Sequence, residues 1–337
     1  MKIAIVKLSA LGDIVHAMVA LQFIKAARPD IEIDWLVEQR FAGLLADNPD
    51  IGQILSVDLK TLKTDKTGIF REIAKINAYA ANRYDLVIDA QGLIKSALVA
   101  RLLSRRCVGF DKHSIRETAA AWLYSQTVAY PYDANTIDRN VAVLTQPLDI
   151  TVSHEHIVAK QPFLFYQTPQ QSLDAYLPAG QAQVLLVIGS TWPSRNYPKE
   201  SYLQIAQALN ANCLISWGND QEREAADWIA RRSEARVLPR LSLNDLKAVI
   251  AQMDLVIGND TGPTHMAWGL NRPSITLFGP TPVSRVYQTE INKVLKSPST
   301  VNPFKLDKND FSIAQIKATS VIALANDLLK IKHPSDQ

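Results

Sequence analysis

Short apolar runs recur along the chain, most of them followed by a segment of helix length whose apolar positions return every three or four residues. IAIV (3–6) precedes 13–28, IDWLV (33–37) precedes 40–47, and DLVIDA (85–90) precedes 93–104. The alternation resumes with VLLVIG (184–189) before 199–210, CLISWG (213–218) before 220–232, DLVIG (254–258) before 263–270, and then SITLFG (274–279). Continuously apolar runs belong to strands buried on both faces, and helix-length spacers between them point to parallel sheets. Two such series predict an α/β protein of two doubly wound domains facing a cleft. Between the series, PLDITVSHEHIVAKQPFLFYQTP (147–169) loses helical periodicity and is broken by prolines, so the domains are expected at 1–160 and 175–310. The segment 311–337 carries Ile313, Ile316, Val321, Leu324 and Leu328 at helical spacing. It is expected to form a closing helix, and its periodicity leaves open a crossing back to the first domain.

At 337 residues and 47% hydrophobic content the chain can bury two cores, which excludes disordered and fibrous classes. Its 36 basic and 33 acidic side chains nearly cancel to +3, arguing against a nucleic-acid binder. Locally the balance breaks, because residues 60–116 hold twelve Lys or Arg against five Asp or Glu. Such a run is a solvated helix face or, in a cleft, an attractor for an anionic ligand. Cys107 and Cys213 lie far apart without metal-ligand or CxxC spacing and read as reduced packing residues. No run approaches the roughly 20 apolar residues of a membrane span, and the opening KIAIVKLSALGD is too short and too charged for a signal peptide. A cytosolic protein able to touch a membrane surface is expected.

In open α/β sheets ligands sit beyond the carboxyl ends of the strands, which directs attention to the turns. In KLSALGDIVH (7–16), Asp13 is either an ordinary first-turn acid or a general base at the mouth of the first strand. In IGSTWPSRNYP (188–198), the hydroxyls of Ser190 and Thr191 and the guanidinium of Arg195 suit a diphosphate. GNDTGPTH (258–265) is the most informative turn. Gly262 permits close approach, Pro263 fits a first helical turn, and the amides of Thr261, Gly262 and Thr264 are left to face an anion. A plain cap by Asp260 or Thr261, with His265 merely packed, explains one residue of that stretch and not four. In SWGNDQERE (216–224), Glu222 opens a helix, where it serves the helix dipole or holds a ribose diol. Lys95 follows DAQGL immediately after a strand and Arg116 follows KHSI in a loop-like stretch, so both are candidates to face the cleft. His154, Glu155 and His156 lack further ligands and read as an exposed polar strand, not a metal site. Neither GxGxxG nor a Walker motif is present.

Taken together, KLSALGDIVHA, DWLVEQRF, DLVIDAQGLIKSA and LSLNDLKAVIAQMDLVIGNDTGPTHMAWGLNRPSITLFGPTP resemble the lipopolysaccharide heptosyltransferases of glycosyltransferase family 9 over nearly the full chain. The DAQGLIKSA and ALGDIVH forms are more similar to heptosyltransferase I than to heptosyltransferase II. The resemblance implies the GT-B architecture of two Rossmann-like domains and an inverting transfer of L-glycero-D-manno-heptose from ADP-heptose to the Kdo of Kdo2-lipid A. It further implies Asp13 as the catalytic carboxylate, and Ser190, Thr191 and Arg195 at the donor phosphates, with Arg195 standing where the family often has lysine. Glu222 matches the ribose ligand, Leu241 a position whose backbone meets adenine, and Asp260, Thr261, Gly262 and His265 the diphosphate and heptose contacts. Lys95 and Arg116 look like the acceptor-binding cations. The expected enzyme needs no metal or other cofactor and is monomeric, working on the inner face of the inner membrane of a Gram-negative bacterium. The rival readings are heptosyltransferase II or another sugar transferase, a nicotinamide-dependent oxidoreductase, and a non-catalytic nucleotide-sugar sensor.

Overall fold

The computed structural model describes residues 1–60 and 68–330. The chain divides into two compact units, Met1–Phe165 and a second beginning at Tyr166. In the first, β1 (Lys2–Val6), β2 (Glu32–Glu38), β3 (Gln53–Val57), β4 (Leu86–Asp89), β5 (Cys107–Phe110) and β6 (Gln126–Val128) form one sheet in the order 3-2-1-4-5-6. Every pairing is parallel. At its centre Ile5 stands in register with Trp35 on one side and Ile88 on the other. Ile3, Ala4, Ile5 and Val6 are wholly buried, so the unbroken apolar run is covered on both faces. Each branched side chain placed there contributes roughly 1.5–3 kcal/mol. The helices of this unit are α1 (Leu11–Met18), α2 (Ala20–Ala27), α3 (Ala42–Leu45), α4 (Ile69–Ala80), α5 (Ile94–Leu103), α6 (Thr136–Thr145) and α7 (His154–Val158).

The second unit repeats the plan with β7 (Gln183–Val187), β8 (Asn212–Ser216), β9 (Arg236–Val237), β10 (Leu255–Asn259), β11 (Ser274–Phe278) and β12 (Asn292–Lys296). Their order is β12-β11-β10-β7-β8-β9, again all parallel. Its helices are α8 (Lys199–Ala208), α9 (Asp220–Ala230), α10 (Leu243–Ala251), α11 (Gly262–Gly269) and α12 (Ala318–Leu329). In each sheet the strand order reverses once, between β1 and β4 and between β7 and β10. Those reversals are the positions where open α/β sheets bind ligands.

Three expectations change. The helix expected over 13–28 is two helices, with Val19 between them. The HEH stretch is a short helix, because the Ser153 hydroxyl accepts the His156 N–H and the His156 ring accepts the Ser153 N–H, a reciprocal cap that stops the chain from extending. The closing segment is a 3-10 turn at Ser312–Gln315 followed by α12. Val321, Ala325 and Leu328 of α12 are buried in the second unit's core with Ile205 and Ile275, so its apolar face is used there. Lys63 and Lys66 of the basic run, and residues 331–337, lie outside the described residues. Both cysteines are free and buried. Among the described residues no helix is long and apolar enough to cross a membrane.

Candidate functional site

In the first unit the chain leaves β1 through a loop that is fastened at several points. Lys7 Nζ donates to Ala90 O at 2.7 Å, and Gln91 Oε1 accepts the N–H groups of both Leu8 and Ser9 at 3.1 Å. Gln91 is itself placed by Asp89 at the end of β4, whose Oδ1 accepts the Gln91 N–H at 2.8 Å and the Gly92 N–H at 3.3 Å. The other oxygen of Asp89 accepts from Ser96 and Tyr124, each at 2.7 Å. Burial pushes the Asp89 carboxyl up, and these four donors lessen the rise without cancelling it. The clamped loop delivers Asp13 in the first turn of α1, where Oδ2 accepts the Ala10 N–H at 3.2 Å. Asp13 therefore does act as a cap, while its half-buried carboxylate also stands at the carboxyl edge of β1.

Lys95, in the first turn of α5, and Arg116, on the loop before the 3-10 helix Thr118–Leu123, are brought near each other, because their chain neighbours are joined by the Ile94 N–H donating to Glu117 Oε2 at 2.8 Å. Both are exposed. Lys95 Nζ lies 3.8 Å from Oε1 of Glu38, the buried acid that ends β2. Burial raises the Glu38 pKa, and Lys95 opposes the rise.

In the second unit the GNDTGPTH stretch forms the end of β10, a two-residue turn and α11. Asp260 does not cap the helix, and Thr261 caps it without a hydrogen bond from its hydroxyl. Asp260 is fully buried, with Oδ1 2.9 Å from His265 Nε2 and Oδ2 3.0 Å from a terminal nitrogen of Arg195. Arg285 Nε approaches Oδ2 to 3.9 Å. Burial alone would raise the Asp260 pKa, but Arg195, the His265 hydrogen bond and Arg285 outweigh it and hold the carboxyl well below the usual range. A permanent carboxylate thus orients two guanidiniums and an imidazole beside a helix amino terminus, an arrangement that receives an anion.

Ser190 and Thr191 lie on the loop that also carries Arg195, beyond β7. Ser190 Oγ donates to Trp192 O at 2.9 Å, so an oxygen lone pair remains for a ligand, and Thr191 is exposed. The Arg195 guanidinium also stacks over Trp192, 5.5 Å from its centroid. Glu222, in the first turn of α9, accepts the Gly218 N–H and the Asn219 side-chain amide, each at 2.7 Å. A methyl group at Gly189 would overlap the Glu222 carboxylate, so the glycine after β7 is what lets that acid reach the same loop. Leu241 is half-buried between β9 and α10. The four donor-side segments follow β7, β8, β9 and β10 and so open at the carboxyl edge of one parallel sheet.

Sequence reading missed three residues. Gln91 clamps the Asp13 loop, Arg285 joins the Asp260 cluster, and buried Asn259 ties the Arg195 loop to β10. Asn259 Nδ2 donates to Ile188 O at 2.9 Å, and its Oδ1 accepts the Tyr197 N–H at 3.0 Å and the Tyr202 hydroxyl at 3.2 Å. Among the described residues no group of three or more metal-ligating side chains is found.

The family model described as glycosyltransferase family 9 (heptosyltransferase) matches residues 75–301. Lipopolysaccharide heptosyltransferase 1 of Campylobacter coli is 34% identical over 97% of this chain and 99% of its own length. The protein of the same name from Pseudomonas aeruginosa is 31% identical over 83% and 79%. Among solved structures, E. coli heptosyltransferase WaaC with ADP superposes with a TM-score of 0.79 at 25% identity, covering 97% of this chain and 100% of that one.

Proposed function

The chain belongs to glycosyltransferase family 9, the heptosyltransferases, and from that premise we propose that it moves L-glycero-D-manno-heptose from ADP-heptose to the Kdo of Kdo2-lipid A with inversion. The observation that carries the proposal is the Asp260 cluster, where Arg195, Arg285 and His265 meet the amino terminus of α11. As ADP departs, negative charge grows on the β-phosphate, and fixed guanidinium and amide donors stabilise that charge. Ser190, Thr191, Thr261 and Gly262 add donors to the diphosphate, Glu222 holds the ribose diol, and the backbone at Leu241 meets adenine. Inversion requires a base on the acceptor hydroxyl, opposite the leaving group, and Asp13 supplies the carboxylate. Lys95 and Arg116 hold the anionic acceptor.

This charge stabilisation comes from side chains and amides, so the reaction is proposed to run without a metal. The acceptor is lipid-borne, which places the working enzyme at the inner face of the inner membrane. Relatives named heptosyltransferase 1 over 83–97% of the chain support the first heptose acceptor over the second. The test follows ADP release with ADP-heptose and Kdo2-lipid A, each omitted in turn, with and without EDTA. Release that needs both substrates and ignores EDTA is expected. Release only with an already heptosylated acceptor would overturn the acceptor assignment, and loss of activity in EDTA would overturn the metal-free one.

A further inference from the structure

Of the twelve large apolar side chains left exposed among the described residues, seven sit on α4, α5 and the 3-10 helix Thr118–Leu123 of the first unit. These elements are neighbours, since α5 packs against both of the others. The outward face of α5 consists of Ile94, Leu98 and Leu102, at i, i+4 and i+8, with Lys95 and Arg101 beside them. No acidic or neutral polar residue of α5 faces out. An ordinary solvated helix reverses that composition. Phe70 on α4 and Trp122 on the 3-10 helix are 79% and 81% exposed, while the three α5 aliphatics are 42–49% exposed. A patch of this extent on a soluble surface marks an interaction site.

We propose that this face docks on an anionic lipid bilayer. Its apolar side chains enter the headgroup boundary and its cations meet lipid phosphates. The argument is charge complementarity: residues 68–123, which span the face, carry nine Lys or Arg against five Asp or Glu, and two of the five, Glu72 and Asp89, are buried. A projecting tryptophan and cations interleaved with aliphatics are the side chains that settle at a bilayer interface. A second protein surface with the same aliphatics would not select for the excess of cations. The face begins at the helix end that carries Lys95, so a docked bilayer lies beside the proposed acceptor contacts. Only that last link rests on the functional reading above.

The test is flotation of the full chain with vesicles of equal phosphatidylglycerol and phosphatidylcholine, or of phosphatidylcholine alone, with no sugar substrate. The wild-type protein is expected to float with the anionic vesicles and far less with the neutral ones. The double substitution Leu98→Glu with Leu102→Glu, and separately Trp122→Ser, should lower the bound fraction constant about tenfold. Phe304→Ser, at an exposed phenylalanine of the second unit, should leave it unchanged. Unaltered melting curves establish that the variants fold, and Trp122 is so exposed that its loss spares the core. Failure of the wild type to float, or equal flotation of wild type and variants, overturns the proposal. So does a concentration-dependent dimer abolished by the same substitutions, which would make a second copy the occupant. Transfer to detergent-dispersed acceptor separates the two claims. If transfer fails while flotation responds to the variants, only the functional reading falls; the reverse result removes only the docking face.

Discussion

Asp13 is a helix cap and the proposed base, and the two roles separate by substitution. Its Oδ2 accepts the Ala10 N–H, so Asp13→Asn keeps a cap oxygen while losing basicity, and Asp13→Ala loses both. Both variants are expected to lower kcat by about 10²- to 10⁴-fold with ADP affinity by calorimetry unchanged; near-wild-type turnover in Asp13→Asn would remove the base from the mechanism. Gln91 acts through this loop by holding the Leu8 and Ser9 amides. Gln91→Met removes the acceptor at similar size, and Gln91→Glu retains it. A drop in kcat of about tenfold for the first at unchanged donor KM, rescued in the second, identifies a positioning role. Asp260 is a stability element as well as a site residue. Its folded-state pKa lies below the ordinary value, so its contribution is complete above the unfolded carboxylate range and is lost as the pH falls through the depressed one. Asp260→Asn leaves the partly buried guanidiniums of Arg195 and Arg285 without their partner and is expected to cost about 3 kcal/mol near neutrality. In denaturant titrations the gap to wild type should narrow below about pH 4; a pH-independent gap would show that the carboxylate charge is not its source.

At the scale of elements, the strands that sequence reading found are those whose apolar runs are unbroken, such as β1, β7 and β10. It passed over β3, β5, β6, β9 and β12, which are two to five residues long. QILSV and NKVLK interleave polar residues, and their strand identity comes from a parallel partner far along the chain. The site divides in the same way. GNDTGPTH was legible because turn, helix start and polar side chains coincide in eight residues. Arg285, Asn259 and Gln91 act on groups 25 to 83 positions away, a distance that no local pattern encodes. Asn259 is the clearest case, since one side-chain amide fastens the end of β10 to the whole 188–197 loop. Asn259→Ala strands several buried partners at about 1–3 kcal/mol each, and the loop that carries Ser190, Thr191 and Arg195 loses its anchor. The expected result is an ADP dissociation constant raised about tenfold or more, with kcat at saturating donor changed far less. Equal loss in both would mean that Asn259 serves the fold at large and not the donor loop.

Over the whole molecule the near-cancellation of 36 basic and 33 acidic side chains means that no net field draws an anionic acceptor in. Attraction has to come from the local excess between residues 60 and 116, where Lys95 in the first turn of α5 and Arg116 on the loop near it are both exposed. The proposed donor side differs in kind, because buried Asp260 holds an Arg195 side chain that is only 12% exposed, and salt screens a partly buried pair weakly. The two substrates should therefore respond differently to ionic strength. Raising salt from about 0.05 to about 0.5 M shortens the screening length to a few ångströms, and kcat/KM for the acceptor is expected to fall about three- to tenfold. The KM for ADP-heptose should move less than twofold. In Lys95→Ala with Arg116→Ala, acceptor kcat/KM should already be low at low salt, and its salt dependence should flatten. A salt slope that persists in that double variant would assign the attraction to other cations of the basic run, and an equally steep slope for the donor would show that the diphosphate is held by exposed charge instead of the buried cluster.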